Sequence, residues 1–269
     1  MSQQERRRIA LPLIIGHRGA SAVAPENTLA AFERALADGA DGIEFDVQLA
    51  RDRVAVVIHD PTLRRTALRE GRIAALTSSE LSSVDVGTWF NLRHPDLAQP
   101  AYARERISTL ARVFQLMKER VAMLYVEMKC SASESSALAA EVARLVRDYS
   151  LVDRVVVESF RLEAIAEIKR LAPEIRTAAL FEPKLSRPLP SARKIIAQAV
   201  HFKADELALH RTLALRRTVA AARERGLPTV VWTVDVPAWV KRGRDFGIHA
   251  IITNRPAQMR ARLDCLSDT

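Results

Sequence analysis

Cysteine is scarce in this 269-residue chain: there are two, Cys130 and Cys265. They lie far apart and match no metal or redox spacing, which excludes a disulfide framework and a cysteine-ligated metal and makes the cytoplasm the default location. Long apolar runs are missing as well. None approaches the roughly 18–20 residues that span a bilayer, so no stable membrane insertion is expected. Nine Gly and twelve Pro are too few for a collagen-like or low-complexity chain. Acids are in deficit, with 32 Asp and Glu against 41 Lys and Arg, a net charge of +9. The surplus is local, because residues 203–262 hold twelve Lys and Arg against five Asp and Glu. Arg211, Arg216, Arg217, Arg223 and Arg225 fall between apolar residues on helical patterns, without aromatics interleaved for base stacking. Such charges read as solvated helix faces rather than a nucleic-acid surface, and their field would favour an anionic small substrate.

What is present is an alternation of short apolar runs with amphipathic stretches, the pattern of an α/β fold with a parallel sheet. The runs are 11–16, 42–48, 122–128, 154–159, 176–181, 203–209, 229–234 and 250–253. Helical patterns occupy 28–38, 134–149, 161–171, 212–225 and 237–246, and the stretch 184–200 turns helical after the Pro188-Leu189-Pro190 breaker. Eight strands with helices between them predict a TIM barrel forming a single domain over 1–269. Arg6-Arg7-Arg8 ahead of residues 9–15 has the charge order of a secretory signal. The stretch is short, though, contains Pro12, and runs into Gly16-His17-Arg18-Gly19 without a small-residue cleavage site, so it reads as a buried strand. One further run, 54–59, follows the second strand after only Arg51-Asp52-Arg53. Three residues cannot carry a parallel crossover but suit a hairpin, which would bring His59 beside Glu44 and Asp46. Residues 61–106 then form a long insertion, a small subdomain or lid with one short helix at about 78–84.

The chemistry-bearing residues fall at strand ends, where barrels of this kind build their sites. His17 and Arg18 close the first strand between two glycines. Glu44 and Asp46 stand two apart on the second strand and therefore share a face, where they would repel unless a cation or a shared proton compensates. Glu127 and Lys129 repeat the arrangement on the third parallel strand. Three carboxylates without a Cys or His cluster suit one hard divalent cation, Mg²⁺ or Ca²⁺, rather than zinc. Lys129 beside such a metal reads as an anion or phosphate contact, and Trp232 as a wall of the substrate pocket or a packing aromatic. In Pro25-Glu26-Asn27-Thr28, Asn27 or Thr28 reads as a helix cap, with Glu26 at the helix's positive end.

Together these residues resemble the glycerophosphodiester phosphodiesterase family. The matching strings are GHRGASAVAPENTLAAFERAL (16–36), GADGIEFDVQLARD (39–52), VVIHDPTLRRT (56–66), VDVGTWF (84–90), YVEMK (125–129), ESF (158–160) and VVWTVD (230–235). The resemblance runs from about residue 14 to 256. It implies a TIM barrel with a small inserted subdomain and metal-dependent hydrolysis of glycerophosphodiesters to sn-glycerol 3-phosphate and an alcohol. It also implies His17 and His59 as the acid/base pair, Glu44, Asp46 and Glu127 as metal ligands, and Arg18 and Lys129 on the phosphate. The chain departs from the pattern at Arg161 and Asn254, where family members often carry an acid, and at Ala67-Leu68-Arg69-Glu70, which lacks the usual Thr and polar Asn/Gly turn. None of these positions is expected to touch the core chemistry.

Two other readings compete. A phospholipase-D-like lyase on choline lipids would share the histidines and the acids but needs exposed apolar residues at the barrel mouth, for which Trp89 and Phe90 are the obvious candidates. A catalytically inactive barrel could serve as a basic binding module, although every expected acid, base and cation is present together. A zinc amidohydrolase is disfavoured because the first strand lacks a His-x-His pair. The expected partner is a small glycerophosphodiester.

Overall fold

In the computed structural model, residues 11–183 and 189–267 are described, so Arg6-Arg7-Arg8, the start of the apolar stretch after them and Pro188 lie outside the described residues. The chain opens with β1 (Leu13–His17), α1 (Leu29–Ala37), β2 (Gly42–Leu49) and the short β3 (Ala55–Val57). Next come α2 (Arg64–Ala67), α3 (Ser78–Leu81), α4 (Thr88–Arg93) and α5 (Leu110–Met117). Strands and helices then alternate: β4 (Met123–Met128), α6 (Ser135–Asp148), β5 (Val155–Ser159), α7 (Leu162–Leu171), β6 (Arg176–Phe181) and α8 (Ala192–His201). The chain ends with β7 (Glu206–His210), α9 (Arg216–Glu224), β8 (Thr229–Trp232), α10 (Ala238–Phe246), β9 (Ala250–Thr253) and α11 (Pro256–Ser267).

Hydrogen-bonded neighbours run β1-β9-β8-β7-β6-β5-β4-β2, and β1 also pairs with β2. Each of these pairings is parallel, so eight strands close on themselves as a TIM barrel. β3 folds back antiparallel on β2, with Val57 opposite Val47, as the three-residue connection predicts.

Alternation along the strands separates two cores. Inward residues Ile15, Tyr125, Val156, Ala208, Val230 and Ile252 fill the barrel. Outward residues such as Phe45, Val126 and Val157 meet helix residues Phe32, Phe114 and Val142. Helix starts follow from capping chemistry: the hydroxyls of Thr28, Thr109 and Ser191 accept from the backbone N–H three residues on. Gly247, at φ +75°, ends α10 in the left-handed conformation that glycine adopts at least cost.

The segment between β3 and α5 buries Leu63, Ile73, Leu81 and Val86 against Val56 and Ile58 of the hairpin. Where the sequence suggests one short helix, the segment holds three, α2, α3 and α4; the expected one is shorter, Ser78–Leu81, opened by a reciprocal cap between Thr77 and Glu80. Trp89 and Phe90 are buried with Tyr102 against Ala24 and Ala31. They are packing residues, and the lipid-contact role considered for them has no exposed ring to support it. On the basic side, Arg211, Arg216, Arg217, Arg223 and Arg225 are exposed. Aromatics do lie among these charges, contrary to the sequence expectation: the guanidiniums of Arg216 and Arg242 cover the rings of Phe246 and Trp239 at 4.9 and 4.6 Å. Both rings also pack on the α9–α11 core.

Candidate active site

Strand register assembles the acids. His17 stands beside Glu44 across β1 and β2, and Asp46 beside Glu127 across β2 and β4. Glu158 on β5 extends that row next to Glu127. One carboxylate oxygen from each of Glu44, Asp46 and Glu127 lies within 4.8 Å of the others, and all three side chains are buried. Burial and then the neighbouring Asp46 push the Glu44 and Glu127 carboxyls well above the usual range. Burial would raise Asp46 too, but Arg18 and Lys129 hold it below that range. Arg18 Nε lies 3.1 Å from Asp46, and the Arg18 backbone N–H donates to Glu44 at 3.0 Å. Lys129 Nζ lies 2.6 Å from Glu127 and 3.3 Å from Asp46. The two cations expected on a phosphate therefore already engage the carboxylates.

These residues fit a cation. The donor set is all oxygen, and two nearby cations leave the repulsion of three acids incompletely offset. Asp46 Oδ1 and Glu127 Oε1 are buried without a well-aligned hydrogen bond, even though Lys129 is close enough to interact through its charge. Buried lone pairs converging from three carboxylates suit Mg²⁺ or Ca²⁺.

Both histidines share a cavity with Glu44 and Glu127 of this cluster. His17 Nε2 is 3.8 Å from Glu44 Oε2, and its Nδ1 is 2.7 Å from the side-chain oxygen of Asn254. Burial, and then Arg18, lower the His17 pKa to about 4. His59 Nδ1 is 2.6 Å from Asp60 Oδ1. Asp60 accepts from Arg65, Arg65 donates to Glu26, and Glu26 accepts from Arg18. A continuous train of charge thus links His59 back to Asp46. His17, Arg18, Glu44, His59, Glu127 and Lys129 line one cavity of about 130 Å³, with Trp232 among its walls. Trp232 meets Phe160 and His210 edge-on, with ring centroids 5.4 Å apart in each pair.

Several residues of the site read from sequence as structural, or carry no local signal. Thr28 is the helix cap, whereas Asn27, at φ +57°, donates to Asp46 and accepts the Asp46 backbone N–H. Glu26 serves Arg18 and Arg65 rather than the helix end. Close approach of the loop to α1 requires Gly19 (φ +83°), where a Cβ would stand 2.5 Å from the Ala31 backbone. Local spacing in the sequence does not tie Arg65 to Asp60. Glu158 lines the same cavity, its carboxyl raised by burial and then by Glu44 and Glu127. Of the departures, Arg161 donates to the Cys130 carbonyl. Asn254 touches His17, so the expectation that no departure reaches the core chemistry is corrected.

Comparison with known proteins agrees with this geometry. The sequence pattern of the Glycerophosphoryl diester phosphodiesterase family matches residues 17–258. A glycerophosphodiester phosphodiesterase of Caldanaerobacter subterraneus is 32% identical over 244 residues, covering 91% of this chain and 94% of the relative. One from Bacillus subtilis is 30% identical over 251 residues, covering 91% and 84%. Among solved structures, an Oleispira antarctica phosphodiesterase in complex with the product sn-glycerol-3-phosphate superposes with a TM-score of 0.83 at 25% identity, covering 94% of this chain and 97% of that one. An Agrobacterium tumefaciens glycerophosphodiester phosphodiesterase gives 0.76 at 30% identity, covering 93% and 100%. With the match extending over most of the barrel and including its strand-end acids and histidines, this chain belongs to the glycerophosphoryl diester phosphodiesterase family.

Proposed function

We propose that the barrel mouth hydrolyses glycerophosphodiesters to sn-glycerol 3-phosphate and an alcohol, using His17 and His59 as the acid/base pair. The observation that carries this reading is one small cavity lined by both histidines together with Glu44 and Glu127 of the buried three-carboxylate cluster. The Oleispira antarctica relative, bound to sn-glycerol-3-phosphate, supports the product assignment. Glu44, Asp46 and Glu127 would hold one divalent cation, Mg²⁺ or Ca²⁺, which supplies charge neutralisation for the phosphate.

The chain's own groups divide the remaining work. Arg18 and Lys129 lie close enough to turn from the carboxylates to phosphate oxygens once a cation relieves those acids, and Trp232 walls the pocket. The attacking oxygen, from water or from the adjacent glycerol hydroxyl, must lose a proton while the leaving alkoxide gains one, and each histidine can serve one transfer. Residues 61–106 supply Arg65, which secures Asp60 behind His59, so this segment acts as part of a single catalytic domain.

The test is turnover of a glycerophosphodiester panel with and without chelator, identifying both products. Release of sn-glycerol 3-phosphate that chelator abolishes supports the reading; no cation-dependent turnover on any diester overturns it. Replacing either histidine by Ala should lower kcat roughly 10²–10⁴-fold while cation binding persists. Near-wild-type turnover by either variant would remove the paired-histidine mechanism.

A further inference from the structure

We infer that Asn254, clamped by Asp235, is a positioning residue that fixes His17 in its Nδ1–H tautomer and presents an unprotonated Nε2 to the reacting phosphodiester. The inference rests on the hydrolytic reading above and assigns His17 as its base.

The orientation of the Asn254 amide follows from Asp235. That carboxylate accepts three hydrogen bonds: from the Thr253 hydroxyl at 2.9 Å, the Asn254 backbone N–H at 2.8 Å and the Asn254 side-chain Nδ2 at 2.7 Å. A carboxylate cannot donate, so the amide group facing it must be the NH₂. The amide oxygen therefore points the other way, where it accepts from the Ser21 hydroxyl at 2.8 Å and lies 2.7 Å from His17 Nδ1. An amide oxygen cannot donate either. A hydrogen bond at 2.7 Å then requires the proton on Nδ1, which leaves the lone pair of a neutral imidazole on Nε2. That nitrogen faces the acidic cluster, and at 3.8 Å from Glu44 it is too distant to be held by it. A histidine side chain in water favours the Nε2–H tautomer, so the Asn254 contact selects the form that can take a proton from the site.

His59 has a different support. Its Nδ1 lies 2.6 Å from the Asp60 carboxylate, which Arg65 grips through Nε at 2.6 Å and Nη2 at 3.1 Å. An amide oxygen holds the His17 ring through a neutral partner, whereas His59 is held through a carboxylate that is itself anchored by Arg65. In the resulting step the attacking oxygen forms its bond to phosphorus and gives its proton to His17 Nε2. The bond from phosphorus to the leaving oxygen breaks, and that oxygen takes a proton from His59. Exchange with water restores both rings.

The test is the ring ¹⁵N spectrum of histidine-labelled protein near neutral pH, with the His17 signals assigned through His17→Gln, alongside kcat and KM on glycerophosphocholine. The wild type should show Nδ1–H and a bare Nε2. Asn254→Ala should move the proton to Nε2 and lower kcat roughly 10–10³-fold with little change in KM, a tautomer error alone being worth up to about 10⁴ elsewhere. A wild-type ring protonated on Nε2, or wild-type turnover by Asn254→Ala, overturns the inference. If Asn254→Ala fails to fold, the wild-type spectrum still decides the tautomer. If the wild type turns over no diester, the hydrolytic reading fails while the ring signals remain decisive for the Asn254 contact.

Discussion

Buried carboxylates occur in two parts of the barrel interior, and their surroundings differ. Glu206 opens β7 and is 3% exposed, yet the Tyr125 hydroxyl donates to it at 3.0 Å and Arg176 Nη1 stands 3.6 Å away. At the mouth, Glu44, Asp46, Glu127 and Glu158 crowd together, and Asp46, Glu127 and Glu158 each keep a buried oxygen without a well-made hydrogen bond. Burying an ionisable group is costly in both places. A single acid beside a hydroxyl can answer that cost by holding its proton, which is a structural solution. Four neighbouring acids with two cations among them leave buried oxygens that a cation from outside the chain could occupy. The contrast separates a carboxylate that serves the fold from carboxylates whose cost is borne for a site.

The largest effect should come from removing a mouth acid. Glu44→Gln should weaken Mg²⁺ or Ca²⁺ binding by about a hundredfold or more, since even partners behind metal ligands are worth 10–100-fold. Diester turnover should fall with it at limiting cation. In chelator the same variant should melt no lower than the wild type, because one source of repulsion is gone. Adding cation should then raise the melting temperature of the wild type far more than that of the variant. Equal cation-induced shifts in the two proteins would erase the distinction between mouth and interior acids. A smaller effect is expected at Arg65, whose guanidinium joins Glu26 and Asp60. Arg65→Ala leaves those acids facing each other and frees Asp60 behind His59, which should cost about tenfold in kcat, or about 1.4 kcal/mol. Unchanged kcat would mean that His59 does not depend on this train of charge.

Legibility in the sequence followed the same division. The closed barrel could be read because parallel strands buried on both faces are near-continuous apolar runs, and the three-residue link before residue 54 permitted only a hairpin. Glu44 and Asp46, and likewise Glu127 and Lys129, could be read because charged residues two apart in such a run share a face. The cap falls on Thr28, one of the two residues the sequence offers, and the role of Asn27 is not legible there because only the fold brings β2 within 2.8 Å of it. Asn254 and Asp235 lie nineteen residues apart on neighbouring strand ends, and Asn254 is 237 residues from His17, so no local spacing announces their contact. Arg65 reaches Glu26 across 39 residues of chain. Periodicity reports which face a side chain takes; it does not report which partner waits there.

The smallest expected effect tests the interior acid itself. Burial raises the Glu206 pKa to about 7, against the opposing pull of the Tyr125 hydroxyl and Arg176. In the unfolded chain the group returns to the ordinary glutamate value near 4.5. Between those values the folded state binds more protons than the unfolded one, so stability falls as pH rises. This contribution is fully present below about pH 4.5. It is lost by the time the pH has passed about 7. Glu206→Gln imitates the protonated acid at every pH, and its amide oxygen can still accept from Tyr125. The variant should therefore match the wild type in acid and become the more stable protein above neutrality, by at most about 3 kcal/mol. Urea unfolding at a series of pH values, in chelator so that the mouth is treated alike in both proteins, gives the difference curve. A gap that opens between pH 5 and 8 identifies Glu206 as an acid the fold keeps protonated. A flat difference, or a variant less stable in alkali, would show Glu206 to be an ionised partner of Arg176, and the contrast with the mouth would then lie in the number of acids rather than in how each is satisfied.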